Sequence, residues 1–216
     1  MRTITEQTKL IIKDSSYLEE GLALGIINLS ALARRIKPQI EAQSLKKTSL
    51  GAVVMALQRT GKGLKKKSEQ RKIILPNDLT VRSNLGELTY QNSNNFRQVH
   101  PKILKLAENK KDVFFNVTQG VFETSIIASL PLLEDIKQLL KNEKLLIGLS
   151  NLSSITLRFP NESLYVPGVY YFILKNLAWE GVNVVEVISI HCELSIIVDQ
   201  SKMDKAFSVI KNLIQK

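Results

Sequence analysis

Apolar and polar positions alternate most regularly near the C-terminal end of the chain. Cys192, Leu194, Ile196 and Val198 interleave with Glu193, Ser195, Ile197 and Asp199, the period of a half-buried strand. Met203, Ala206, Phe207, Ile210, Leu213 and Ile214 then fall on one helical stripe. Upstream, Val182–Ile190 is rich in β-branched residues and apolar on both faces, and Ile155–Phe159 reads as a short strand. Between them Val169, Phe172, Ile173 and Leu177 follow helical spacing, and Gly181 supplies a positive-φ stop. The order is strand, helix, strand, strand, helix.

The same order occurs earlier. Residues 103–142 align with 173–212 at an offset of 70: Ile103-Leu104-Lys105 with Ile173-Leu174-Lys175, and Phe122–Ile127 with Cys192–Ile197. Leu79-Thr80-Val81-Arg82 matches Ile155-Thr156-Leu157-Arg158 at offset 76, which gives the first copy six extra residues, placed in the polar run Gln91–Asn95. Leu145, Leu146, Ile147 and Leu149 predict a fourth strand for the first copy. The second copy lacks one unless Lys72–Leu75 or a partner chain supplies it.

Residues 14–60 read as helical. Ser15 or Ser16 begins one helix that runs to Gly25, and Asn28 caps a second, where Pro38 interrupts the helix or starts a further turn. Thr48 or Ser49 caps a third, Leu50–Gln58, closed by Gly61. The predicted division is therefore 1–61 helical domain, 62–72 basic linker, 73–151 first α/β unit and 152–216 second.

Composition narrows the function. No apolar run approaches the length that spans a bilayer, and the start lacks a secretory pattern. The single Cys192 excludes an intrachain disulfide, and a cytoplasmic address is expected. Cys192 with His100 and His191 leaves little for a zinc site, so neither metal nor cofactor is expected. The net charge of +10 is concentrated in residues 34–72, which hold twelve Lys/Arg against two Asp/Glu. Such a block is a footprint for nucleic acid or a solvated linker. Phosphate contacts would come from Arg34, Arg35, Lys46, Lys47, Arg59, Lys62, Lys65, Lys66 and Lys67. The third helix starts Leu50-Gly51-Ala52-Val53-Val54-Met55-Ala56-Leu57, almost without side chains to read bases. No catalytic residues are expected. Gly61-Lys62-Gly63 is not a phosphate loop, no Gly-x-Ser-x-Gly is present, and adjacent His191 and Cys192 would point to opposite faces of a strand.

Pro167-Gly168-Val169, Leu177-Ala178 and Gly181-Val182-Asn183-Val184 resemble the ACT domain, and Val187–Ile196 and Thr118–Ile126 resemble aspartate kinase regulatory regions. In the first copy Val99-His100 replaces Gly-Val, and Lys111-Asp112-Val113 lacks both Gly and Asn. The resemblance implies an α+β fold, with two ferredoxin-like βαββαβ units after the helical region. It also implies an amino-acid site at Val166, Gly168, Val169, Asn183 and Val184. A helix N-terminus there suits a carboxylate, and Asn183 offers a donor and an acceptor. Leu29–Ile36 is similar to the opening of a winged helix-turn-helix. Chains pairing that motif with ACT units resemble prokaryotic regulators of amino-acid metabolism. The expectation is a ligand-responsive, homo-oligomeric regulator that contacts duplex DNA. The alternative is a non-catalytic assembly subunit that binds a protein partner through its ACT sheets.

Overall fold

A computed structural model describes residues 3–69, 75–108, 110 and 113–215, without the side chains of 67–69 and 97. The chain divides into two compact units, 1–72 and 73–216. Each is described by itself.

The first unit is built from four helices, α1 (Ile4–Lys13), α2 (Ser16–Leu24), α3 (Leu29–Ser44) and α4 (Leu50–Glu69). The sequence reading missed α1. Its start is fixed by a reciprocal cap: the Glu6 N–H donates to Thr3 Oγ1 (3.2 Å) and the Thr3 N–H to Glu6 Oε2 (2.8 Å). Asn28 and Ser49 cap α3 and α4 as expected, accepting from Ala31 N (3.0 Å) and Ala52 N (3.2 Å). Pro38 does not interrupt α3, and Gly61 does not close α4, which continues to Glu69 and absorbs most of the expected linker. Gly61 instead allows close packing, since a Cβ there would stand 3.3 Å from the Leu22 carbonyl oxygen of α2. The core joins Ile11, Ile12, Leu22, Leu32, Ile36, Ile40, Val53 and Leu57. The described residues of this unit contain helices and loops and no strand, hence no wing.

The second unit is one antiparallel sheet with helices α5 (Asn94–Glu108), α6 (Leu130–Leu139), α7 (Val169–Trp179) and α8 (Met203–Ile214). Its strands are β1 (Asp78–Gln91), β2 (Phe115–Gln119), β3 (Glu123–Ser129), β4 (Leu145–Arg158), β5 (Val184–Ile190) and β6 (Glu193–Asp199), in the order β2-β3-β1-β4-β6-β5. β1 and β4 each span 14 residues, and a shift of 67 carries Asp78 to Leu145 and Gln91 to Arg158. Each serves both halves. The second part of β1 pairs with β3 and the second part of β4 with β6. The first part of β1, Asp78–Arg82, pairs with Ser154–Arg158. That segment is the second copy's fourth strand. It comes from this chain, and the expected donor Lys72–Leu75 lies largely outside the described residues.

Two sequence expectations are thereby corrected. Leu79–Arg82 and Ile155–Arg158 are antiparallel neighbours, not repeat equivalents. Because β1 maps on β4 at 67 while β3 maps on β6 at 70, the second copy carries the extra residues, three of them. They fall in the segment that includes the short 3₁₀ helix Asn161–Tyr165. β4 also runs unbroken through the expected boundary at 151/152.

Separate cores back the two halves, one under α7 and α8 and one under α5 and α6. A third cluster on the opposite sheet face joins Leu85, Ile127, Leu152 and Ile197, with Phe114, Val185 and Ile188 against them. Glu87 on β1 and Glu186 on β5 share that face. Burial raises the pKa of Glu186, and the Glu87 carboxylate raises it further. The sheet curls around the cluster.

Candidate functional site

The expected ligand residues lie at the two ends of α7. Pro167 and Gly168 turn the chain out of the 3₁₀ segment, and Gly168 takes φ +90° as the N-cap of α7. A Cβ at Gly168 would meet nothing within 4 Å, so conformation rather than space demands glycine there. The first N–H groups of α7 have no acceptor within the helix and point outward at its positive end. Val166 is half-buried beside them and Val169 opens the helix.

At the other end, Gly181 takes φ +68°, as the sequence predicted. The N–H of Val182 bonds the Leu177 carbonyl (2.9 Å) and that of Gly181 the Ala178 carbonyl (3.0 Å), which closes α7 in a Schellman turn. Asn183 follows, exposed, and Val184 begins β5 paired with Val198. Eleven helical residues at 1.5 Å each separate the two groups by about 16 Å. One unit thus brings together Val166, Gly168 and Val169 at one end, and Asn183 and Val184 at the other. It does not bring the five together.

β5 is an edge strand, and its far end reaches the start of α7: the Tyr170 hydroxyl and Ser189 Oγ are 2.5 Å apart. Tyr170, Tyr171 and Trp179 on α7, and Val187 and Ile190 on β5, are exposed. At the offset of 70 the first copy presents Gln98, Val99, Val113 and Phe114 where the second has Gly168, Val169, Asn183 and Val184, so Gln98 and not Val99 stands in the place of Gly168. Lys111 and Asp112 lie outside the described residues.

The basic residues divide into two sets. Arg34 and Arg35 lie in mid-α3, and Lys46 and Lys47 in the turn before α4. Arg59, Lys62, Lys65 and Lys66 share the exposed face of α4 with Gln58, while the side chain of Lys67 lies outside the described residues. The apolar start of α4 has a structural reason. Val53, Ala56 and Leu57 are core residues, and the opposite face carries the polar groups.

Other expectations resolve simply. His191 and Cys192 are the two turn residues between β5 and β6 rather than strand residues. Cys192 is buried, and its Sγ donates to Asn161 Oδ1 at 3.2 Å. Glu87, which sequence reasoning missed, is buried and accepts from the hydroxyls of Thr89 (3.0 Å) and Ser125 (2.8 Å) through one oxygen. Its Oε2 has no protein partner. Among the described residues no helix is long and apolar enough to cross a membrane, and no cluster of three metal-ligating side chains occurs.

No protein-family model matches the chain, and no curated protein matches it. Solved structures do. The aspartate kinase of Clostridium acetobutylicum, described as an allosteric enzyme, superposes with a TM-score of 0.54 at 18% identity, over 67% of this chain and 36% of its own. Aspartokinase alpha and beta subunits give 0.52 at 14% identity, over 65% of this chain and 99% of theirs. The ligand-free regulatory subunit of aspartate kinase from Thermus thermophilus gives 0.50 at 12%, over 65% and 97%. The likeness is one of fold: an ACT-type α+β unit of the kind found in aspartate kinase regulatory subunits.

Proposed function

We propose that the protein is a non-catalytic regulator that senses a free amino acid through residues 73–216, at a site completed by a second copy. The observation that carries this reading is the split of Gly168 and Asn183 between opposite ends of α7 beside an open β5 edge. Antiparallel pairing of two β5 edges sets the start of one strand against the end of the other. The end of β5 lies beside the start of α7. Pairing thus carries Asn183 and Val184 of one copy to Val166, Gly168 and Val169 of the other. The α7 N-terminus then suits the ligand carboxylate, and Asn183 its amino group. Calorimetry over the proteinogenic amino acids tests it. One of them should bind, and binding should fail in Asn183→Ala.

The basic exposed face of α4 favours duplex DNA as the output, held through phosphates. Salt-dependent anisotropy with duplex DNA separates this from an assembly subunit, which would show no such binding.

A further inference from the structure

The exposed face of α4 carries charge of one sign. Arg59, Lys62, Lys65 and Lys66 stand on it within about two helical turns, and no acidic residue occurs in α4 before Glu69. On α3, by contrast, Lys37 is held by Glu41 at 3.7 Å, whereas among the described residues no ion pair involves any of those four. α4 also holds three glycines, and packing explains one of them. A Cβ on Gly61 would stand 3.3 Å from the Leu22 carbonyl oxygen, but one on Gly51 or Gly63 would meet nothing within 4 Å. Both of these are exposed, and neither takes a positive φ. Glycine in a helix is less stable than alanine because it has more backbone freedom to lose. No neighbour in the described chain offsets that loss at Gly51 or Gly63. At about 100° per residue, Gly51 lies about 20° around the helix from Lys62, and Gly63 about 40° from Arg59, so the bare positions fall among the cations.

We propose that α4 lies along the sugar–phosphate backbone of duplex DNA and grips it whatever its base sequence, with Gly51 and Gly63 left bare so that the backbone approaches the helix closely. A run of cations without anions fits a polyanion whose charges repeat along a line. Beside the cations and glycines, the exposed face holds only Met55 and Gln58. A helix that reads a groove presents several side chains able to hydrogen-bond base edges, whereas phosphates are alike in every sequence. α4 packs against each of α1, α2 and α3, so this one face is what it offers to a partner. The proposal rests on the basic face being the output, and adds how the duplex sits and what is not read.

Fluorescence anisotropy of the full chain with labelled duplexes of equal length tests it. An A·T-rich, a G·C-rich and a mixed duplex should bind with the same affinity, and Gln58→Ala should change none of them. Lys62→Gln should weaken all three alike and reduce the slope of log affinity against log salt by about 1. Gly51→Leu and Gly63→Leu should move two readings in opposite directions. Leucine is the better helix former, so melting temperature should rise. Its side chain stands where the backbone lies, so duplex affinity should fall severalfold while the salt slope stays as in the parent. A strong preference for one duplex, or affinity unchanged in both leucine variants, overturns this proposal and leaves the output reading standing. No binding of any duplex at low salt overturns both.

Discussion

Asn84 and Asn151 take the same left-handed conformation, φ 58° and 57°, at equivalent points of β1 and β4. Each stands where its strand stops serving one half of the unit and starts serving the other. Asparagine tolerates this region better than other residues with a Cβ. At both positions the pairing register of β1 with β4 shifts.

Substitution at these points should be costly in one direction only. Asn84→Val or Asn151→Val forces a β-branched residue to positive φ and should destabilise by about 1–3 kcal/mol. Asn84→Gly and Asn151→Gly should be near neutral. Urea denaturation followed by circular dichroism reads both, and equal effects of Gly and Val would show that the conformation is not what the strands need.

Those same asparagines show what was legible. Ser83-Asn84-Leu85 and Ser150-Asn151-Leu152 repeat at 67, but the stronger matches at 70 drew the register, and Leu79–Arg82 was taken for a repeat equivalent when it is a pairing partner. Periodicity recovered β6, α7 and α8 because each has one apolar face, and β5 was legible from its run of β-branched residues after the Gly181 turn. It could not show that β1 and β4 cross between halves, since an apolar pattern records burial and not which half supplies the cover. It placed Gly168 and Gly181 in turns rightly, yet grouped Val166, Gly168, Val169, Asn183 and Val184 without the length of α7 between them. Glu87 escaped because a buried carboxylate looks like any surface glutamate in a strand until its neighbours are known.

Glycines 86 and 148 offer a contrast in packing. A Cβ on Gly86 would lie 2.7 Å from Leu133 Cδ2 and 2.8 Å from the Leu149 carbonyl oxygen, whereas one on Gly148 would meet nothing closer than 3.6 Å. Gly86→Ala should cost about 1–3 kcal/mol by overpacking against backbone that cannot swing aside. Gly148→Ala should change the urea midpoint little.

Acidity should act through Glu186. Its pKa is raised by burial and then by Glu87, against a smaller lowering by the Val187 N–H. A carboxyl raised on folding contributes stability that is full below its unfolded value near 4.5 and lost as pH climbs through the raised folded value. Melting temperature should therefore fall as pH rises across that window toward neutrality. Glu186→Gln should flatten the fall and melt higher than the parent at pH 7. A steeper fall in the variant would contradict this assignment.

The basic face of α4 should report through salt. Each phosphate contact contributes about −0.9 to the slope of log affinity against log salt. Lys62, Lys65 and Lys66 changed together to Glu should weaken duplex binding strongly and flatten that slope, read by fluorescence anisotropy at several salt concentrations. Affinity indifferent to the triple reversal would leave the block as a solvated helix face.

The site shared between two copies is tested most directly by complementation. Val166→Asp should obstruct the α7 end of the site, and Asn183→Ala should remove the partner's contribution, so calorimetry should find neither variant binding the amino acid that the parent binds. Unfolded together and refolded as a mixture, they form mixed pairs in which one of the two sites draws Val166 and Gly168 from one chain and Asn183 from the other, all unaltered. The account predicts that binding returns in the mixture with the parent's affinity. A mixture as inert as its components, from variants that each pair and melt like the parent, would place the site within a single chain and contradict it.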